Sequence, residues 1–158
     1  MNFEDQMMQG VSSAEIGRRT MAWRLKNFSE QGRMRHALQI VEEVTEAYED
    51  MTGGVCPNKE LADVVLSVCA MAAFEGITLR DEPLIADLNH LIRHTGKLAR
   101  AVGKESEGIR PESRGDVAEE LQMIYSIALC LMMAQDEPIA TFTEARLTRM
   151  EGLVFSRG

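Results

Sequence analysis

Segment 42–50 carries five carboxylates, Glu42, Glu43, Glu46, Glu49 and Asp50, and a further pair, Glu60 and Asp63, follows the Gly53-Gly54 break. Residues three or four apart are neighbours on a helical surface, so Glu43 and Glu46 share a face, as do Glu42 and Glu46, and Glu60 and Asp63. Like charges at this spacing cost roughly 0.2–0.5 kcal/mol per pair in an isolated helix, and more where water is excluded. A hard divalent cation that takes several oxygen ligands offsets such a cost. Taken alone, the run at 42–50 has a plainer reading as a solvated helix face. Asp63 argues otherwise. With Glu60 and Ser67 it forms the polar strip of a stretch otherwise built from Leu61, Val64, Val65, Leu66, Val68, Cys69 and Met71, where an unpaired carboxylate is expensive.

Helices must position these groups. Apolar residues recur at helical spacing through most of the chain, β-branched clusters are few, and the expected fold class is all-α. Ser12 or Ser13, with Glu15 nearby, opens a first helix reaching Asn27. A second, from about Met34 to Met51, has the stripe Ala37, Ile40, Val41, Val44, Ala47, Tyr48 and Met51, and ends at Gly53-Gly54. The third follows Pro57 and Asn58 and is apolar nearly all round from Leu61 to Phe74, the mark of a helix buried on several sides. A fourth is expected from Pro83 to Val102, stopping at Gly103. A loop with Gly108, Pro111 and Gly115 leads to a fifth over Asp116–Ala134, and a short closing helix follows Pro138.

The helix pair at 36–52 and 60–76 has a counterpart at 87–103 and 120–136: a polar amphipathic helix, a loop, then a long apolar helix with an acidic start. Two such hairpins face to face make a four-helix bundle in a single domain, with 33–80 as the catalytic hairpin, 85–136 as a degenerate repeat and 138–150 as a C-terminal helix. Aligning the copies sets His94 and Lys97 where Glu43 and Glu46 stand, Glu120 opposite Glu60, and Met123 opposite Asp63, so the second copy lacks a metal set. Its polar helix carries Arg93, His94, Lys97, Arg100 and Lys104. Placed across from the acidic helix, Arg93, Lys97, Arg100 and Lys104 would meet the phosphates of a metal-bridged ligand, unless they serve as structural ion pairs.

The net charge of -8 and a pI of about 4.9 argue against nucleic acid as partner, because binding a polyanionic duplex needs a basic surface. Cys56, Cys69 and Cys130 form no CxxC pair and read as reduced and structural. No apolar run approaches the roughly 20 residues of a membrane span, and the acidic N-terminus is unlike a signal peptide, so the expectation is a cytoplasmic protein with no membrane partner.

The string ALQIVEEVTEAYEDMTGG, followed by KELADVVLSVCAMAAFEGITL, resembles the core of the MazG-like, all-α nucleoside triphosphate pyrophosphohydrolases, whose signature is ExxE, a spacer, then ExxD. In this chain the signature is Glu43-Val44-Thr45-Glu46, thirteen intervening residues, and Glu60-Leu61-Ala62-Asp63. The likeness covers residues 33–80; Thr45 stands where family members usually have Gly. It implies that Glu43, Glu46, Glu60 and Asp63 hold Mg²⁺ or Mn²⁺, with Glu42 beside them to assist a metal or orient the attacking water. It further implies hydrolysis of nucleoside triphosphates to monophosphate and pyrophosphate, as in house-cleaning of nucleotide pools, by a homodimer or higher homo-oligomer. A dimeric-dUTPase-like activity on the same scaffold is the narrower alternative, and a non-catalytic nucleotide-sensing or interaction module the competing class. Phosphoribosyl-ATP cleavage fits the tandem arrangement poorly.

Other signals weigh less. His90 and His94 have the spacing of a helical zinc pair but no glutamate between them and no third ligand. Trp23 could stack a base, although a lone tryptophan on an apolar helical face is more often core. Arg146 and Arg149 could reach phosphates, with solvated helix-end positions the simpler expectation.

Overall fold

An all-round apolar helix needs neighbours on every side, and the segment after Pro57 has them. The computed structural model describes residues 10–108, 115–134 and 139–153, in which the elements are α1 (Ser13–Asn27), α2 (Arg33–Thr52), α3 (Asn58–Glu75), α4 (Leu88–Ser106), α5 (Gly115–Met133) and α6 (Ile139–Glu151). The fold is all-α. Helix α3 packs against α1, α2, α5 and α6, and twelve of its residues are buried. Helices α2, α3, α5 and α4 close a four-helix ring of contacts, α2 on α3, α3 on α5, α5 on α4 and α4 on α2, while α1 and α6 lie together on the remaining face of α3. The core between them contains Ile40, Leu61, Met71, Leu91, Leu98, Leu121, Ile124, Tyr125 and Leu129.

Local chemistry sets the helix ends. Ser12 Oγ accepts the Glu15 N–H and starts α1, and Gly76, at a φ of 70° in the left-handed region, ends α3. Helix α4 begins later than Pro83 and runs past Gly103. Asp87 Oδ1 accepts the His90 backbone N–H at 3.1 Å and so sets the start at Leu88, and without a clash or a positive φ at Gly103 the helix continues to Ser106. Residues 77–87 instead form a strap across α5: Gln122 bonds both backbone groups of Arg80, Leu84 N–H donates to Ser126 C=O, and the Tyr125 hydroxyl donates to Asp81. Pro111 and Pro138 lie outside the described residues.

Gly17 permits the close seating of α1 on α3. A Cβ there would stand 2.4 Å from the Cys69 carbonyl oxygen, so any side chain would push the helices apart. Arg19 bonds Glu151 and Arg33 bonds Glu75, tying α1 to α6 and α2 to α3. None of the three cysteines is disulfide-bonded, and no helix among the described residues is long and apolar enough to cross a membrane.

Candidate metal centre and its cavity

Glu43 lies on the α3-facing side of α2, one turn from the buried Ile40 and Ala47, and Glu60 and Asp63 lie on one side of the first turns of α3. The hairpin brings one carboxylate oxygen from each to within 4.8 Å of the others. Around an octahedral Mg²⁺ neighbouring oxygens are about 3.0 Å apart and opposite ones about 4.2 Å, so rotation of the carboxylates must draw the three oxygens inward to close on such an ion. The donors are all hard oxygens, as Mg²⁺ or Mn²⁺ requires. Gln39 Nε2 donates to Glu43 Oε1 at 2.8 Å, whereas Glu43 Oε2 is buried with no hydrogen-bond partner, an acceptor that a cation would satisfy. The residues therefore fit a divalent metal.

The electrostatics agree. Burial first, then the Asp63 charge, pushes the Glu43 carboxyl up to about 7. Burial, a hydrogen bond that the protonated Glu60 donates to Glu46, and the Asp63 charge push Glu60 up to about 7 as well. Glu46 is thus more exposed than the converging trio but hydrogen-bonded to one of its members. Burial also raises Asp63, against the pull of Arg146, which grips it with two bonds of 3.1 and 2.8 Å. Glu42 is exposed, 3.5 Å from Arg35.

Arg146 is not at the solvated helix end that its position in the sequence suggests. Instead its side chain is only 19% exposed, because α6 lies across α3 and delivers it to Asp63. Beside this ion pair opens a cavity of about 420 Å³ between α1, α2, α3 and α6, whose wall includes Trp23, Arg24, Glu43, Asp63, Arg146 and Arg149. Trp23 is half-buried in this wall and not in the core. Its indole N–H donates to the Leu153 carbonyl at 2.9 Å, and its ring meets Phe28 edge-on at 5.5 Å.

The basic residues of the repeat are placed elsewhere. Arg93, Lys97, Arg100 and Lys104 are exposed on α4, and none of them lines this cavity, because among the described residues α4 packs mainly on α2 and α5. His94 Nδ1 bonds Glu120 at 2.6 Å and His90 Nδ1 bonds Asp87 at 2.8 Å, so the two histidines serve separate carboxylates.

Sequence reasoning missed Arg24, which is 8% exposed in the cavity floor. The signal for it is the stripe Ile16, Thr20, Arg24 and Asn27, at spacings of four, four and three, which keeps polar side chains on the buried face of α1. Burial holds Arg24 down at about 10, so it is charged at neutral pH. No protein-family model matches the chain, and neither the curated proteins nor the solved structures yield a match.

Proposed function

We propose that this chain is a divalent-metal-dependent hydrolase of nucleoside triphosphates that releases the monophosphate and pyrophosphate. The observation that carries the reading is the convergence of Glu43, Glu60 and Asp63, with Glu43 Oε2 orphaned, beside a cavity lined by several cations. Mg²⁺ or Mn²⁺ held by these three residues, with Glu46 bonded behind Glu60, would supply Lewis-acid neutralisation of phosphate charge. The chain contributes the rest. Glu46, half of a hydrogen-bonded carboxyl pair and accessible to solvent, is the group suited to take the proton of an attacking water. Arg146 shares the cavity wall with Asp63, so a rotation of its guanidinium carries it from carboxylate to phosphate oxygen. Trp23, held edge-on by Phe28, offers an aromatic face in the cavity wall against which a base stacks.

Cleavage between the α- and β-phosphates follows from the MazG-like resemblance of residues 33–80, as does pairing into a homo-oligomer. The test is release of monophosphate and pyrophosphate from a panel of canonical and modified nucleoside triphosphates, with dUTP and dUDP included, in Mg²⁺, Mn²⁺ or EDTA. Metal-dependent monophosphate formation that disappears in Glu46→Ala and Asp63→Ala is the expected result. Hydrolysis confined to dUTP and dUDP selects the dUTPase-like alternative, and folded, metal-binding protein with no turnover selects the sensing module.

A further inference from the structure

Among the described residues Arg24 is the one lysine or arginine that is buried. Its guanidinium donates from Nη2 to Ser67 Oγ at 3.1 Å and from Nη1 to His36 Nδ1 at 3.0 Å, and no ion pair joins it to a carboxylate, the Glu43 charge acting on it without direct contact. Both partners are neutral. An arginine can only donate, so His36 Nδ1 is the acceptor and its ring proton sits on Nε2, which is itself buried without a partner. Phe74 packs on the imidazole with ring centroids 4.8 Å apart, and burial together with Arg24 pushes His36 down to about 4, so the ring stays neutral at physiological pH. His36 and Ser67 therefore aim the guanidinium without discharging it. A buried cation in that condition is costly unless an anion joins it.

The surroundings supply the place. Arg24 and Ser67 both line the cavity, where Arg24, Arg35, Lys59, Arg146 and Arg149 outnumber the acids Glu43 and Asp63, although the whole chain is acidic. Asp63 is already engaged by Arg146. Ser67 follows Asp63 by one turn of α3, about 6 Å along the axis, so a polyphosphate reaching the carboxylate cluster passes within reach of Arg24.

We propose that Arg24, aimed by His36 and Ser67, is the seat of an anion site that takes a phosphate group of the nucleotide one helical turn from the carboxylates, and takes it without a divalent cation. The source of the phosphate rests on the nucleotide reading; the site itself rests on the geometry of Arg24.

Titration calorimetry on the full chain in EDTA tests it, with a non-hydrolysable α,β-imido nucleoside triphosphate, pyrophosphate and orthophosphate as probes. The imido nucleotide is expected to bind metal-free protein, Arg24→Lys to weaken it about tenfold, Arg24→Gln more, and Ser67→Ala about threefold, while Lys97→Ala stays within about twofold of wild type. Circular dichroism verifies folding; should Arg24→Gln not fold, Arg24→Lys and Ser67→Ala decide. Pyrophosphate binding as tight as the nucleotide, and equally sensitive to Arg24→Lys, keeps the site but assigns it to the free anion. Unchanged affinity in folded Arg24→Lys, an absolute need for Mg²⁺, or loss of binding in Lys97→Ala overturns the proposal. Turnover assays separate the two readings: Arg24-dependent binding without hydrolysis of any nucleotide sinks the hydrolase alone, and hydrolysis with Arg24-independent binding sinks the anion site alone.

Discussion

The two hairpins of the bundle treat one pair of positions in opposite ways. In the first, Glu43 of α2 and Glu60 of α3 bring carboxylate oxygens together with Asp63. At the aligned positions of the second, His94 of α4 bonds Glu120 of α5 at 2.6 Å, and Met123 takes the place of Asp63. The same scaffold thus holds a carboxylate cluster with one buried oxygen left without a partner and a pair that satisfies itself. A carboxylate-to-imidazole exchange, with methionine in place of the third carboxylate, separates the states, because imidazole brings the donor that two carboxylates lack. The backbone supplies only proximity, and the charge balance of the side chains decides whether proximity leaves an unsatisfied cluster or makes a clasp.

The sharpest way to break this comparison is to remove Asp63 and Met123 in turn. Asp63→Ala is expected to lower kcat/KM by at least about a hundredfold, the upper range for merely supporting residues of a metal site, whereas Met123→Ala leaves it within about twofold; steady-state kinetics on the best substrate of the panel decides. A more demanding version converts the second hairpin. His94→Glu with Lys97→Glu and Met123→Asp rebuilds the acidic pattern on α4 and α5, and a second Mn²⁺ equivalent by electron paramagnetic resonance is the expected outcome. Failure to gain it would mean that the hairpins share sequence rhythm but not site geometry.

Arg146 sharpens the contrast from the other side. Supplied by α6 from outside the hairpin, it is the counter-ion to Asp63, so Arg146→Ala is expected to tighten Mn²⁺ about three- to tenfold in the absence of nucleotide while weakening turnover, as calorimetry and kinetics together would show.

pH offers a gentler probe. Glu43 and Glu60 are raised to about 7 from an ordinary 4.5, so the folded state holds protons that the unfolded chain has released. Their contribution to stability is complete below about pH 4.5 and is lost as pH rises through 7. The melting temperature of metal-free protein is expected to fall by a few degrees between about pH 5 and 8, with Mn²⁺ restoring it and Glu43→Gln flattening the slope. The smallest effect is reserved for Lys97→Ala, with a melting temperature within about 1 °C of wild type, because exposed charges contribute little.

The helices, the ring of four and the carboxylate hairpin were legible in the chain because their signals are local: periodicity, glycine stops and spacings of three and four. The cavity was not. Its wall draws Arg24 from α1, Glu43 from α2, Asp63 from α3 and Arg146 from α6, and no pattern within a single helix announces which distant face will lie opposite. The basic face of α4 attracted attention because its cations are consecutive in rhythm. That rhythm describes solvent exposure, while the cations near the carboxylates are dispersed along the chain. Arg146 illustrates the physical reason: its partner is 83 residues away, and only the crossing of α6 over α3 brings the two together.

That separation also orders events during synthesis. Asp63 leaves the ribosome 83 residues ahead of Arg146, a delay of roughly 4–17 s at translation speeds of about 5–20 residues per second. The acidic hairpin is therefore born before its guanidinium lock, and the nascent chain passes through an interval in which Asp63 has no Arg146 to compete with any other cation.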